Sequence, residues 1–192
     1  MIFYVEKLKP FTDSRGDFYK LLEDGNYPKN NSANHNTFRP IQTFFTVTWK
    51  SSIRGMHFYQ ELNVSKNLIC RRGGGALSKK REVIGKSFVI ISGKIFLAAI
   101  DLRPNSETFG TIQTLTLNAY NQVSIPRIVA TGFQVISDEA TVLYFLDSVH
   151  KPESDITINP ISCGIDWPLP IGAISNRDLN ALTLEEYCRL KK

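Results

Sequence analysis

The chain carries three histidines, His35, His57 and His150. Only His57 lies in an apolar, strand-forming run, Ser52-Ile53-Arg54-Gly55-Met56-His57-Phe58, and not among Asn, Ser and Pro. An imidazole exchanges protons near neutral pH without help, so a sheltered one is the first candidate for acid–base work. Arg54 places a permanent cation three residues before it. Strict strand alternation puts Arg54 and Met56 on one face and Gly55 and His57 on the other. A site shared by Arg54 and His57 therefore needs curvature or a neighbouring turn. A strand histidine that simply packs is the competing reading, and the run alone leaves both open.

The elements that must position these groups read as strands. Phe88-Val89-Ile90-Ile91 runs through Ser92-Gly93 into Lys94-Ile95-Phe96-Leu97-Ala98-Ala99-Ile100-Asp101-Leu102, a hairpin pattern. Pro104-Asn105-Ser106 turns the chain, and Thr111 to Leu117 alternates with a period of two. Val123-Ser124-Ile125-Pro126, Gly132-Phe133-Gln134-Val135-Ile136 and Thr141-Val142-Leu143-Tyr144-Phe145-Leu146 follow without intervening helices. That spacing predicts a mainly β sandwich or barrel, not a doubly wound sheet. Helix is confined to short peripheral pieces. Thr183-Leu184-Glu185-Glu186 has the capping-box form and predicts a C-terminal helix over 183–190. The Asn- and Pro-rich stretch from Gly25 to Arg39 reads as a loop.

Composition narrows the classes. With 192 residues, 42% hydrophobic and 21% charged, a single soluble domain over 1–192 is expected. No apolar run approaches the roughly 20 residues of a membrane helix. The start, Met1-Ile2-Phe3-Tyr4-Val5-Glu6-Lys7, turns charged too early for a secretory signal, so the cytoplasm is expected. Cys70, Cys163 and Cys188 show neither zinc-type nor disulfide-type spacing. Much of the net charge of +5 sits in Arg71, Arg72, Lys79, Lys80, Arg81 and Lys86. Aromatic residues for base stacking are missing from Arg71 to Lys86, which argues against nucleic acid. Residues 71–85, with Gly73-Gly74-Gly75, read as a basic, Gly-rich loop insertion lacking the Gly-Lys-Ser/Thr ending of a P-loop. Such a loop is either a neighbour of an anionic small-molecule site or merely solvated.

Collinear blocks along nearly the whole chain carry a resemblance. They are Phe11-Thr12-Asp13-Ser14-Arg15-Gly16-Asp17-Phe18, Gln42, Arg54-Gly55-Met56-His57-Phe58 and Ser92-Gly93-Lys94-Ile95-Phe96. Asp101-Leu102-Arg103-Pro104-Asn105-Ser106-Glu107-Thr108-Phe109-Gly110, Gly164-Ile165-Asp166-Trp167-Pro168 and Ser175-Asn176-Arg177-Asp178 complete the series. The chain resembles the dTDP-4-dehydrorhamnose 3,5-epimerase family of cupin-fold nucleotide-sugar epimerases. The resemblance implies a cupin-type double-stranded β-helix, or jelly roll, working as a homodimer that exchanges amino-terminal strands. It also implies an isomerase of a dTDP-linked 4-keto-6-deoxy sugar, without metal or cofactor, feeding surface polysaccharide or a glycosylated product.

Such a ketone acidifies its C3 and C5 hydrogens by spreading the enolate onto O4. Inversion then needs a base on one face, an acid on the other and a cation near the oxygen. By resemblance His57 is the base, Lys86 holds the enolate charge and Tyr144 returns the proton. Arg15 and Arg54 anchor phosphates, and Gln42 contacts the nucleotide. Thr131 stands where the family usually has the histidine of Ala-His-Gly-Phe, and Asn159, before Pro160, where it has the acid that partners the base. Leu97 replaces an Asp, and Lys20 an acidic residue. An amide at Asn159 would orient His57 without offsetting its charge, lowering its basicity. These departures leave two alternatives: a nucleotide-sugar-binding homologue with impaired turnover, and a ketoisomerase-like cupin acting on a related sugar.

Overall fold

The computed structural model describes residues 2–21, 38, 40–59, 84–149 and 155–190. His35, His150, Cys70, most of the loop read between Gly25 and Arg39, and the basic run from Arg71 to residue 83 lie outside the described residues. Among those described, the strands are β1 (Tyr4–Lys7), β2 (Pro10–Asp13), β3 (Gly16–Tyr19), β4 (Gln42–Trp49), β5 (Ile53–Tyr59) and β6 (Ile84–Ser92). They continue with β7 (Lys94–Asp101), β8 (Ile112–Asn118), β9 (Asn121–Pro126), β10 (Val129–Val135), β11 (Glu139–Leu146) and β12 (Asp155–Thr157). A 3₁₀ turn at Pro160–Cys163 and helices α1 (Asn176–Leu179) and α2 (Leu184–Leu190) follow.

The strands form two five-stranded antiparallel sheets, ordered β1-β9-β6-β11-β4 and β12-β5-β10-β7-β8, with β2 and β3 paired in a separate hairpin. The mainly β, jelly-roll architecture expected of the sequence is the one found. Its core lies between the sheets. Phe88, Ile90, Val123, Ile125 and Val142 from one inner face meet Ile95, Leu97, Ala99, Val129 and Phe133 from the other. Fully burying one such side chain contributes about 1.5–3 kcal/mol.

One local expectation is corrected. Ser92-Gly93 does not close a hairpin, because β6 pairs with β9 and β11 whereas β7 pairs with β8 and β10. The link instead carries the chain from one sheet to the other. Gly93 permits this corner at φ +84°, where a side chain would collide with the Glu139 carbonyl. Strand-forming runs that change sheet look the same in sequence as runs that pair with each other.

The outer face of the β5 sheet is closed by the C-terminal segment. Met56, Phe58, Ala98, Ile100 and Ala130 pack with Ile158, Cys163 and Tyr187. Phe58 and Tyr187 meet edge to face at 5.5 Å. The start of α2 is fixed by a capping box. Glu186 Oε2 accepts from the Thr183 amide at 2.8 Å, and Thr183 Oγ1 accepts from the Glu186 amide at 3.2 Å. This packing brings α1 beside β5, where it bears on the site.

Candidate active site

A cavity of about 390 Å³ opens between the sheets. The β5 sheet contributes Arg54, His57, Tyr59, Leu97, Thr131, Gly132, Phe133 and Asp155; the opposing sheet contributes Gln42, Phe44, Thr46, Lys86, Phe88, Tyr144 and Leu146.

The alternation problem at Arg54 and His57 is solved by a bulge. Thr131 pairs with His57 and Phe133 with Arg54, so β5 spends one residue more than β10 between the same two rungs. The extra residue turns Arg54 and His57 onto one face, and both line the cavity. The sequence supports this with a glycine: Gly55 has φ +125° and lies against β10. A Cβ there would collide with the Gly132 backbone and stand 2.7 Å from the Thr131 carbonyl oxygen. Arg54 is then steadied by its Nε, which donates to Thr48 Oγ1 at 2.7 Å.

His57 Nε2 lies 2.8 Å from Asp178 Oδ1, with His57's side chain 33% exposed and Asp178's 5%. Burial pushes the Asp178 carboxyl up, but hydrogen bonding and charge from His57, a bond to Ser175 and the Gly55 backbone N–H outweigh it and hold the carboxyl below its usual range. A carboxylate only accepts, so Nε2 carries the hydrogen and the Nδ1 lone pair is left to take a proton. Ser175 caps α1 by accepting from the Asp178 amide at 3.1 Å, which fixes the carboxylate's backbone.

The partner expected for His57 was Asn159, and its position is otherwise. Asn159 caps the 3₁₀ turn, accepting from the Ile161 amide through Oδ1 and donating from Nδ2 to the Leu179 carbonyl, both at 2.8 Å. With both ends of its amide engaged, it holds the α1 segment in place. The loss of basicity expected from an amide beside His57 does not follow, because the neighbour is a carboxylate. Sequence reasoning quoted Asp178 in a family block and missed its role. The available signal was Ser175-Asn176-Arg177-Asp178 itself, a cap followed three residues later by an acid.

On the opposing sheet two cross-strand rows face the cavity. Gln42, Leu146 and Lys86 form one, and Phe44, Tyr144 and Phe88 the other. Phe44 stacks on Tyr144 with centroids 4.9 Å apart and planes 16° apart, while Phe88 stands 5.6 Å away on the other side. The phenol is thus clamped between rings. Burial pushes its pKa well above the ordinary value, against the nearby Thr46 hydroxyl and the Arg54 charge, which pull it down. Lys86 is buried and donates to the His57 carbonyl oxygen at 3.0 Å. Burial pulls its ammonium down to about 8, while the Asp155 carboxylate works in the other direction. Asp155 is itself ion-paired to Arg177 at 2.8 Å.

Of the residues named from the sequence, the fold gathers His57, Tyr144, Lys86, Gln42, Arg54 and Thr131 around one cavity. Thr131 is buried, and Leu97 adds an apolar wall beside it. Arg15 is elsewhere. It sits in the β2–β3 hairpin with its side chain 88% exposed, paired to Asp13 at 2.6 Å. Phe44, Thr46, Tyr59 and Asp155 line the cavity and were not singled out. Among the described residues no group of three or more His, Cys, Asp and Glu is placed to hold a metal. No helix among them is long and apolar enough to cross a membrane.

Comparison with known proteins bears on this arrangement. A family model described as dTDP-4-dehydrorhamnose 3,5-epimerase matches residues 76–186. The dTDP-4-dehydrorhamnose 3,5-epimerase of Escherichia coli K12 is 34% identical over 186 residues, 94% of this chain and 89% of that protein. The chain belongs to the dTDP-4-dehydrorhamnose 3,5-epimerase family. The enzyme class expected from the sequence, an isomerase, goes with that membership. The Neisseria gonorrhoeae relative of the same name is also 34% identical, and the chain spans 49% of its length. Among solved structures, a Legionella pneumophila 3,5-epimerase in complex with dTDP-4-keto-L-rhamnose superposes with a TM-score of 0.73 at 26% identity, covering 95% of this chain and 88% of that one. A 3'-monoepimerase from Streptomyces bikiniensis shares the fold, with a TM-score of 0.78 at 22% identity, covering 99% and 87%.

Proposed function

We propose that this protein epimerises a dTDP-linked 4-keto-6-deoxy sugar at C3, C5 or both. The observation that carries the reading is the placement of His57, backed by Asp178, and Tyr144 on opposite sheets across one cavity, with Lys86 beside them. A sugar ring held between the sheets presents one face to the imidazole and the other to the phenol. His57 takes the proton from the carbon next to the ketone, and the C–H electrons move onto O4. Asp178 balances the charge that grows on the ring. The Lys86 ammonium lies on the same wall as the phenol and stabilises the enolate oxygen. Tyr144 then protonates the carbon from the opposite face, inverting it. Arg54 and Gln42, at the cavity wall, hold the diphosphate and nucleotide, and Thr131 borders the sugar. No metal or organic cofactor enters these steps.

The active unit is a cytoplasmic homodimer. Its support is the outer face of the edge strand β4, where Phe45 is 66% and Trp49 71% exposed. The β2–β3 hairpin likewise exposes Phe11 and Phe18 while holding Arg15 away from its own cavity. Exchange of this hairpin between protomers brings Arg15 to the phosphates. A binding-only role drew much of its motive from Asn159, and the carboxylate at Asp178 removes that ground.

Incubation with dTDP-4-keto-6-deoxyglucose, followed by NMR of the product, tests the reading. Inverted configuration at C3 or C5 is expected. Migration of the carbonyl to C3 identifies a ketoisomerase instead, and unaltered sugar that nevertheless binds identifies a binding protein.

A further inference from the structure

Thr46 is a cavity residue whose chemistry the steps above leave unused. It lies on the inner face of β4, one row beyond Phe44, with Val142 between it and Ile90 in the ladder. Its Oγ1 is fully buried and has no partner at full hydrogen-bond geometry, although it lies close enough to the Tyr144 phenol to favour its ionised form. A buried hydroxyl without a partner forfeits a bond that water would have supplied, at a cost of about 1–3 kcal/mol. A valine would fill the same space without that cost, so the oxygen needs a reason. The neighbouring Thr48 has one, since its Oγ1 accepts from Arg54 Nε.

The groups around Thr46 suggest what its reason is. Tyr144 is its diagonal neighbour on the same face of β11, clamped between Phe44 and Phe88, which fix the direction of the phenol. Those rings offer no donor to the phenol oxygen. When Tyr144 gives up its proton, the new C–H bond forms from the enolate π electrons, the C4 carbonyl is restored, and the O–H electron pair stays on Tyr144 as phenolate. Burial opposes that charge, and the two influences that reduce the opposition are the Thr46 hydroxyl and the Arg54 cation. Arg54 is partly committed to Thr48.

We propose that Thr46 is a positioning residue for the proton-return step, its O–H turning to donate to Tyr144 Oη as the phenolate forms. The hydroxyl makes no full-geometry hydrogen bond before the reaction and a charge-assisted one in its transition state, and such differential interactions accelerate a step without tightening substrate binding. This rests on the reading of Tyr144 as the returning acid.

The test compares the unaltered protein with Thr46→Val and Thr46→Ser, each incubated in D₂O with dTDP-4-keto-6-deoxyglucose. The quantity read is deuterium in recovered, uninverted sugar divided by inverted product. That ratio reports how the enolate partitions between return through His57 and onward protonation by Tyr144. Thr46→Val is expected to raise it about 10- to 150-fold, the equivalent of one lost hydrogen bond to a charged oxygen, with KM nearly unchanged. Thr46→Ser, which keeps the hydroxyl, returns the ratio toward that of the unaltered protein. An unchanged ratio in Thr46→Val overturns the role, as does a Thr46→Ser that behaves like Thr46→Val, because the effect then belongs to packing. If the unaltered protein gives neither exchange nor product, the epimerase reading falls, and this inference with it.

Discussion

Replacing Asp178 by Asn removes one negative charge from beside His57 while keeping a side chain of the same size. The bond at stake is 2.8 Å long, and only 5% of the Asp178 side chain is exposed, so solvent screens it little. The Ser175 cap bonds the Asp178 backbone amide and survives the change, so α1 stays in place. A hydrogen bond to a charged group contributes about 1.5–3 kcal/mol, and each 1.36 kcal/mol on a barrier is a factor of about ten. Loss of the charge-assisted part therefore predicts a fall of about 10- to 150-fold in kcat. The amide also presents an NH₂ to Nε2 in one orientation, which moves the ring hydrogen to Nδ1 and blocks the lone pair there. That tautomer effect pushes toward the roughly 10⁴-fold loss seen for the same change beside a serine-protease histidine. About 10²-fold or more is the expected outcome, with KM within a few-fold, because Asp178 is not among the residues lining the cavity. Steady-state kinetics with NMR detection of inverted sugar measure both, and circular dichroism checks the fold. A kcat within threefold of the unaltered protein refutes the argument that Asp178 supports the base.

Two further outcomes follow from the same geometry. If the Lys86 cation is required, activity falls as pH rises through about 8, since the ammonium is charged below that value and neutral above it. Asp155→Asn removes the carboxylate that favours the charged form, so the alkaline limb of the kcat/KM profile moves to lower pH; an unmoved limb counts against Lys86 as the titrating group. Gly55→Ala adds a methyl group to a φ of +125° and drives it into the Gly132 backbone, so the fold loses about 2–4 kcal/mol in chemical denaturation. A loss below about 1 kcal/mol would mean that the bulge tolerates a side chain and is not held by the glycine.

Much of the architecture was legible because strand alternation is a local signal. The runs around Ile90, Ile95, Val123, Phe133 and Val142 all form core strands. Which sheet each strand joins was not legible: Ser92-Gly93 reads as a hairpin turn, and only the pairing partners reveal a corner. The site followed the same division. His57 stood out as the sheltered histidine of a strand-forming run, Lys86 and Tyr144 came from the resemblance, and the fold brings all three to one cavity. Asp178 was passed over because the resemblance put the partner of His57 at the residue before Pro160, and its own contact with His57, 121 residues away, is a distance that no periodicity reports. The shared face of Arg54 and His57 was flagged as a puzzle, and it took the extra residue in β5 to resolve it. Thr46 and Asp155 carry no motif; they matter only through what the fold places beside them.

The account stands on a proton leaving one face of the sugar and another arriving at the opposite face. Tyr144→Phe assayed in D₂O examines this most directly, because it disables the arrival and spares the departure. Deuterium is expected at the abstracted carbon of recovered sugar at a rate near that of the unaltered protein, while inversion falls by about 10²-fold or more. Inversion that proceeds at the unaltered rate in Tyr144→Phe would contradict the account, because the phenol would then not be the acid that faces His57 across the cavity.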